Sequence, residues 1–202
     1  MDVAVPFDAV DPKTRLEGLF EDAERRALAE TVLEDVVAAI RASGREPTVY
    51  ATAAVDLDAE VVVDERGLDP LVASLTDEPP IAIVMADLAL ATPEAFDRLF
   101  DTEGDVVAAP GLGGGTNALV VRNPAFEPDF HGTSISDHRQ AVRDAGLDWT
   151  AVDSMRLAVD VDEPTDLVEV LLHGEGRTPD WLRDHGVSLA IDGGRARVVR
   201  EE

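Results

Sequence analysis

The chain has 202 residues, 45% of them hydrophobic, and its 17 basic residues against 42 acidic ones give a formal charge of −25. That is enough apolar material for one core in a single domain spanning residues 1–202, while so acidic a field disfavours nucleic acid and anionic membrane surfaces, and no basic run exceeds Arg25-Arg26. The lack of cysteine removes disulfides, thiolate catalysis and cysteine zinc sites, no apolar run approaches the ~20 residues of a membrane span, and the N-terminus has no targeting pattern, so a cytoplasmic protein is expected.

Residues 3–5 read as a short buried strand closed by Pro6, and residues 8–14 as a polar loop punctuated by Pro12. From 23 to 41 the apolar residues Leu28, Val32, Leu33, Val36, Val37 and Ile40 recur at helical spacing on one face, and Gly44 stops the helix. The β-branched runs 48–51 and 60–63, and the wholly apolar run 81–86 cut off by Asp87, read as buried parallel strands. Thr92-Pro93-Glu94 is an N-cap followed by proline in the first turn, opening a helix to about Phe100. Strands follow at 105–109 and 117–121, then a short helix at 141–145 ended by Gly146. Residues 157–161 read as a further strand, leading into a helix opened by Glu163-Pro164 and running to about Leu172. Residues 187–191 and 196–199 flank Asp192-Gly193-Gly194 as a β-hairpin. Strands alternating with helices predict an α/β fold with a mostly parallel central sheet and flanking helices, whose ligands collect at the carboxyl ends of the strands.

Three carboxylates are expected at those ends. Asp87 closes one apolar run, and Asp160 and Asp162 close Ala-Val-Asp-Val-Asp-Glu-Pro. On a strand, residues i and i+2 point the same way, so both aspartates reach one hard cation such as Mg²⁺. An aspartate after a strand is equally a helix N-cap, a role that Asp162 ahead of Glu163-Pro164 would suit.

The loop Gly111-Leu112-Gly113-Gly114-Gly115-Thr116-Asn117 lets backbone N–H groups converge on an anion, with Thr116 adding a hydroxyl; the alternative is a flexible hairpin connection. It is neither a Walker loop nor a dinucleotide fingerprint, since it lacks Gly-Lys-Ser/Thr and leads into a strand. Lysine occurs once, at Lys13, and the other 16 basic residues are arginine. Exchange of lysine for acids and arginine suits a high-salt cytoplasm. The surviving Lys13, with Arg15 in the same carboxyl-end loop, is then the candidate cation pair for a triphosphate, against the alternative of a solvated side chain. Histidines 131, 138, 173 and 185 form no His-Glu-x-x-His or i, i+4 pair, which argues against zinc; His138 would either touch substrate or pack.

Together, Lys-Thr-Arg-Leu at 13–16, Ala-Asp-Leu at 86–88, Gly-Gly-Thr-Asn-Ala-Leu at 114–119, Ser134 with His138, and Asp-Val-Asp-Glu-Pro-Thr-Asp-Leu at 160–167 resemble the 2-phospho-L-lactate guanylyltransferase family of coenzyme F420 biosynthesis. The Gly-Gly-Thr-Asn-Ala-Leu box is the most specific element. The resemblance implies a Rossmann-like nucleotidyltransferase fold of halophilic, archaeal-type composition that joins GTP to 2-phospho-L-lactate with Mg²⁺ and releases pyrophosphate. Carried over, Asp87, Asp160 and Asp162 look like the metal ligands, and Lys13 and Arg15 the triphosphate contacts, with Asp87 also part of the catalytic set. Gly114, Gly115, Thr116, Asn117, Gly132 and Ser134 look like the substrate-binding group, Thr116 and Ser134 facing the phosphorylated acid. A different acceptor (phosphoenolpyruvate, 3-phosphoglycerate or a sugar phosphate), or a silent nucleotide-binding domain, remains open. A homodimer built on the C-terminal hairpin is a further expectation.

Overall fold

A computed structural model of the chain describes residues 1–201. Its elements run β1 (Asp2–Phe7), α1 (Asp22–Ala42), β2 (Pro47–Ala51), β3 (Glu60–Val63), α2 (Leu68–Thr76), β4 (Ile81–Val84), α3 (Pro93–Asp101), β5 (Val106–Pro110), β6 (Thr116–Val121), α4 (Ser134–Ala145), β7 (Trp149–Ala151), α5 (Met155–Ala158), α6 (Asp166–His173), α7 (Arg177–Asp184), β8 (Val187–Asp192) and β9 (Arg195–Arg200). Seven strands form one sheet in the order β3-β2-β1-β4-β6-β5-β7. Every neighbouring pair is parallel except the two made by β6, which runs against β4 and β5.

Side-chain alternation along the strands gives each sheet face its own apolar layer. Val3, Val5, Ala82, Val84, Val107 and Val120 face α1, α3 and the C-terminal helices, whereas Ala4, Ile81, Ile83, Val106, Leu119 and Val121 pack with Val72 of α2 and Ile135 and Val142 of α4. The stripe expected on α1 is the buried one, with Leu28, Val32, Leu33, Val36 and Ile40 fully enclosed. At the start of α3 the Thr92 hydroxyl accepts from Ala95 N at 3.3 Å, as its N-cap sequence predicts.

Several expectations need correction. β1 runs on through Pro6, because β4 pairs only with Asp2, Val3 and Ala4, so the missing proline N–H lies beyond that ladder. α4 begins at Ser134 rather than at 141, since the early part of its buried face is made by Ser134 and His138 as well as Ile135, and the two polar residues carry no apolar signal. Residues 157–161 are not a strand: α5 ends at Ala158, and Val161 N donates to the Asp87 carbonyl at 3.0 Å outside any ladder. The helix expected from Glu163-Pro164 begins at Asp166. α2, β7 and α7 have no counterpart among the expected elements. The C-terminal hairpin is as predicted, turning through Gly193 and Gly194 at φ 55° and 83°, and it packs beside α6 and α7. No helix among the described residues is long and apolar enough to cross a membrane.

Candidate active site

After β1 the chain returns to β2 on one side, and after β4 it crosses to β5 on the other, so the carboxyl ends of β1 and β4 flank a crevice. A cavity of about 360 Å³ occupies it, lined among others by Pro12, Lys13, Arg15, Met85, Asp87 and Asp162.

Lys13 caps a 3₁₀ turn, Thr14–Leu16, and is the sole non-glycine residue with positive φ among the described residues, at φ 59° and ψ 38°. A left-handed backbone costs an L-residue ~1–2 kcal/mol. The side chain makes contacts that offset this cost: Nζ donates to Asp87 Oδ2 at 2.9 Å and lies 3.8 Å from Asp162 Oδ1. The Lys13 side chain is only 10% exposed, so the solvated alternative does not hold. The Arg15 guanidinium pairs with the second Asp162 oxygen from a more exposed position.

Asp160 faces the same rim as Asp87 and Asp162, although not by the strand geometry expected of Asp160 and Asp162. The three carboxylates do not bring their oxygens within 4.8 Å of one another, a closeness that among the described residues Asp69, Asp129 and His131 reach instead. The bond from Val161 N to the Asp87 carbonyl pins the two carboxylate-bearing segments together. Asp162 is not the N-cap of α6; Asp166 accepts from the backbone N–H groups of Asp162 and Glu163 at 2.9 and 2.6 Å, leaving the Asp162 carboxylate to the cations. Asp160 is held from behind, where the buried Asn117 amide donates to its Oδ1 at 3.2 Å and to the Leu157 carbonyl at 3.0 Å. Burial, with the charges of Asp87 and Asp162 beside it, pushes the Asp160 carboxyl up, and the Asn117 bond works against that rise. Asp87 Oδ1 is buried and has no hydrogen-bond partner among the described residues. A crowded, partly buried carboxylate set with one unpaired oxygen suits a hard divalent cation.

The glycine loop is the hairpin between β5 and the antiparallel β6, which brings it to the same rim. Leu112 N donates to the Ala158 carbonyl at 3.0 Å, and Ile135 N to the Gly114 carbonyl at 3.3 Å, so the loop is docked between α5 and the start of α4. Gly111 has to be glycine for packing: a Cβ there would stand 2.5 Å from Asn117 Oδ1. A second cavity of about 220 Å³, lined by Gly113, Asp160 and Glu163, shares Arg15 and Asp162 with the first. Next to the loop Ser134 Oγ donates to Thr116 Oγ1 at 3.2 Å, and His138 Nδ1 lies 2.9 Å from the same oxygen. Gly132 takes φ 60° ahead of α4 with open space around it, and Gly115 leads into β6.

Lys13, Arg15, Asp87 and Asp162 are thus brought together, Asp160 lines the second cavity beside Asp162, and Thr116 and Ser134 form a buried polar pair. Asn117 differs from its expected place among the substrate contacts, since its amide is spent on Asp160 and Leu157. His138, with surface exposure of 0%, packs rather than lying open. The supporting roles of Asn117 and Asp166 have no signal in the sequence, because each acts on a residue fixed only by the fold.

The family described as Guanylyl transferase CofC like matches residues 1–201. A 2-phospho-L-lactate guanylyltransferase of Halomicrobium mukohataei is 57% identical over 202 residues, covering 99% of this chain and 100% of the relative. The enzyme of the same name from Haloferax volcanii is 60% identical, covering 100% and 99%. Among solved structures, a putative nucleotide-diphospho-sugar transferase from Desulfovibrio desulfuricans superposes with a TM-score of 0.69 at 15% identity, covering 92% of this chain and 96% of that one. A nucleotidyl transferase from Methanothermobacter thermautotrophicus gives 0.56 at 15% identity, covering 91% and 99%. These two show the same Rossmann-like fold.

Proposed function

The chain belongs to the CofC-like guanylyl transferase family, and from that premise we propose that it joins GTP to 2-phospho-L-lactate, giving lactyl-2-diphospho-5′-guanosine and pyrophosphate in coenzyme F420 biosynthesis. The observation that carries this reading is the rim where Lys13, Arg15, Asp87 and Asp162 converge, with Asp160 on the wall of the second of two linked cavities.

A phosphate monoester is largely dianionic at neutral pH, its second pKa being ~6, so its oxygen attacks the α-phosphorus of GTP without a general base. One P–O bond forms, and the bond from the α-phosphorus to the bridging oxygen breaks, its electron pair leaving with pyrophosphate. The protein has to bring two anions together in line and offset charge on the leaving group. Lys13 and Arg15 take the triphosphate. The base and ribose have room in an adjoining cavity of about 400 Å³, lined by Tyr50, Arg66 and Leu68, which shares Pro6, Phe7, Asp8 and Met85 with the first. Thr116 and Ser134, with Gly132 and the loop glycines Gly114 and Gly115, receive the phospho-acid.

Asp87, Asp160 and Asp162 would hold Mg²⁺; the unpaired Asp87 Oδ1 and the all-oxygen donor set support that choice. When bound there, the ion supplies Lewis-acid stabilisation of phosphoryl oxygens. The same reading places the enzyme in the cytoplasm, with the β8–β9 hairpin as the surface for a homodimer, which light scattering in molar salt checks.

The test is pyrophosphate release with GTP or ATP against 2-phospho-L-lactate, phosphoenolpyruvate, 3-phosphoglycerate and a sugar phosphate. GTP with phospholactate should turn over fastest. Faster turnover of another acceptor replaces the substrate, and GTP binding without Mg²⁺ dependence or turnover makes this a silent nucleotide-binding domain.

A further inference from the structure

The side chain packed against Thr116 has a fixed hydrogen-bond polarity. His138 lies in the first turns of α4, edge-on to Phe126 and Phe130 at ring-centroid distances of 5.6 and 4.9 Å. The backbone N–H of Asp129 donates to its Nε2 at 3.1 Å. A backbone N–H only donates, so Nε2 accepts and the proton of the neutral ring sits on Nδ1. Burial drives the His138 pKa down to about 4, in keeping with a neutral ring. Nδ1–H therefore donates to Thr116 Oγ1 at 2.9 Å, and the Ser134 hydroxyl lies 3.2 Å from the same atom, close enough for one hydroxyl to donate to the other. A hydroxyl has two acceptor lone pairs and one hydrogen. With Nδ1–H already on Thr116 Oγ1, one hydroxyl hydrogen is spent within the Thr116–Ser134 pair and the other is left to offer outward.

We propose that His138 is a positioning residue for the transfer reaction: by donating to Thr116 it leaves the Thr116–Ser134 hydroxyl pair with one hydrogen to donate to an anionic oxygen of the phosphorylated acid. This rests on the proposed function, in which the acceptor sits beside Thr116 and Ser134, and it adds a residue that touches no substrate. A donor fixed before binding recognises carboxylate or phosphate oxygen without reorienting its hydrogen.

The experiment is a double-mutant cycle read on Michaelis constants in molar KCl. T116V should raise KM for phospholactate ~10-fold and leave KM for GTP alone, as expected for loss of a hydrogen bond to a charged group. H138L, which removes the donor while filling the space, should do nearly the same with kcat less affected, and H138N, which keeps an N–H near Nδ1, should restore most of the affinity. In the T116V background H138L should add less than about twofold, since its partner is already gone. Independent effects that multiply in full, or an H138L enzyme that melts earlier while KM for phospholactate stays put, overturn the inference. An unmoved KM in T116V overturns the acceptor placement itself. Nitrogen-15 NMR of the unsubstituted protein reads the ring without any variant: the Nδ1–H tautomer is expected, and the Nε2–H tautomer overturns the polarity.

Discussion

Lys13 combines a backbone that disfavours any side chain with a side chain that the rim requires. Lys13→Ala keeps the strained backbone and loses the ammonium, whereas Lys13→Gly loses the ammonium and also the strain. Both should lower turnover by ~10²–10³, the range seen when one fixed electrostatic donor is removed from a transition state. Lys13→Gly should nevertheless be the more stable of the two by ~1 kcal/mol, measured by urea unfolding in molar salt. Equal stability would mean that only the ion pairs hold the backbone left-handed and that it relaxes once they are gone. Asp160 is the converse case, because burial and two neighbouring carboxylates make its charge a cost to the fold. Asp160→Ala should keep its thermal unfolding profile in high salt, or unfold slightly later, while pyrophosphate release falls ~10³-fold. Near-normal turnover would remove it from the metal-binding set.

At the scale of elements, the glycine loop shows how a hairpin connection supports chemistry beyond its own residues. Gly111→Ala forces the new Cβ against Asn117, whose amide positions Asp160. Overpacking of this kind costs ~1–3 kcal/mol. The activity loss should exceed that of Gly113→Ala, and only Gly111→Ala should unfold early, since a Cβ at Gly113 would meet no atom within 4 Å. Similar melting of both variants would show that Asn117 yields without cost. The α1 stripe was legible from its helical period, and the β4 run from an unbroken apolar stretch cut off at Asp87. The Asp87, Lys13 and Arg15 rim was legible because each follows a strand at its carboxyl end. Residues 157–161 were not, since four apolar residues in five carry no period that separates a strand from a helix end. The helix-forming Met155-Arg156-Leu157-Ala158 favoured the helix. The first turns of α4 were equally hidden, because a serine and a histidine destined for burial look like surface.

Over the whole molecule, −25 charges repel one another, and salt shortens the Debye length from ~10 Å at 0.1 M to ~3 Å at 1 M, so the folded state gains from molar KCl. Acid adds a second dependence that screening does not remove. His138 is held neutral by burial, with a pKa of about 4 in the fold against the ordinary 6.5. Below 6.5 the unfolded chain takes up a proton that the folded one refuses, so this contribution is complete above that value and declines as pH falls toward 4. Between about pH 7 and about pH 5 the loss amounts to ~2 kcal/mol. His131 acts in the opposite sense, because pairing with Asp129 and Asp69 pulls its pKa up, and a raised histidine stabilises as pH falls. The difference between the unsubstituted protein and H138N cancels His131 and isolates the buried ring. In molar KCl that difference should shrink by ~2 kcal/mol from about pH 7 to about pH 5, measured by urea unfolding at each pH. A difference that stays constant would mean that His138 takes its proton inside the fold, which the Asp129 N–H facing Nε2 opposes.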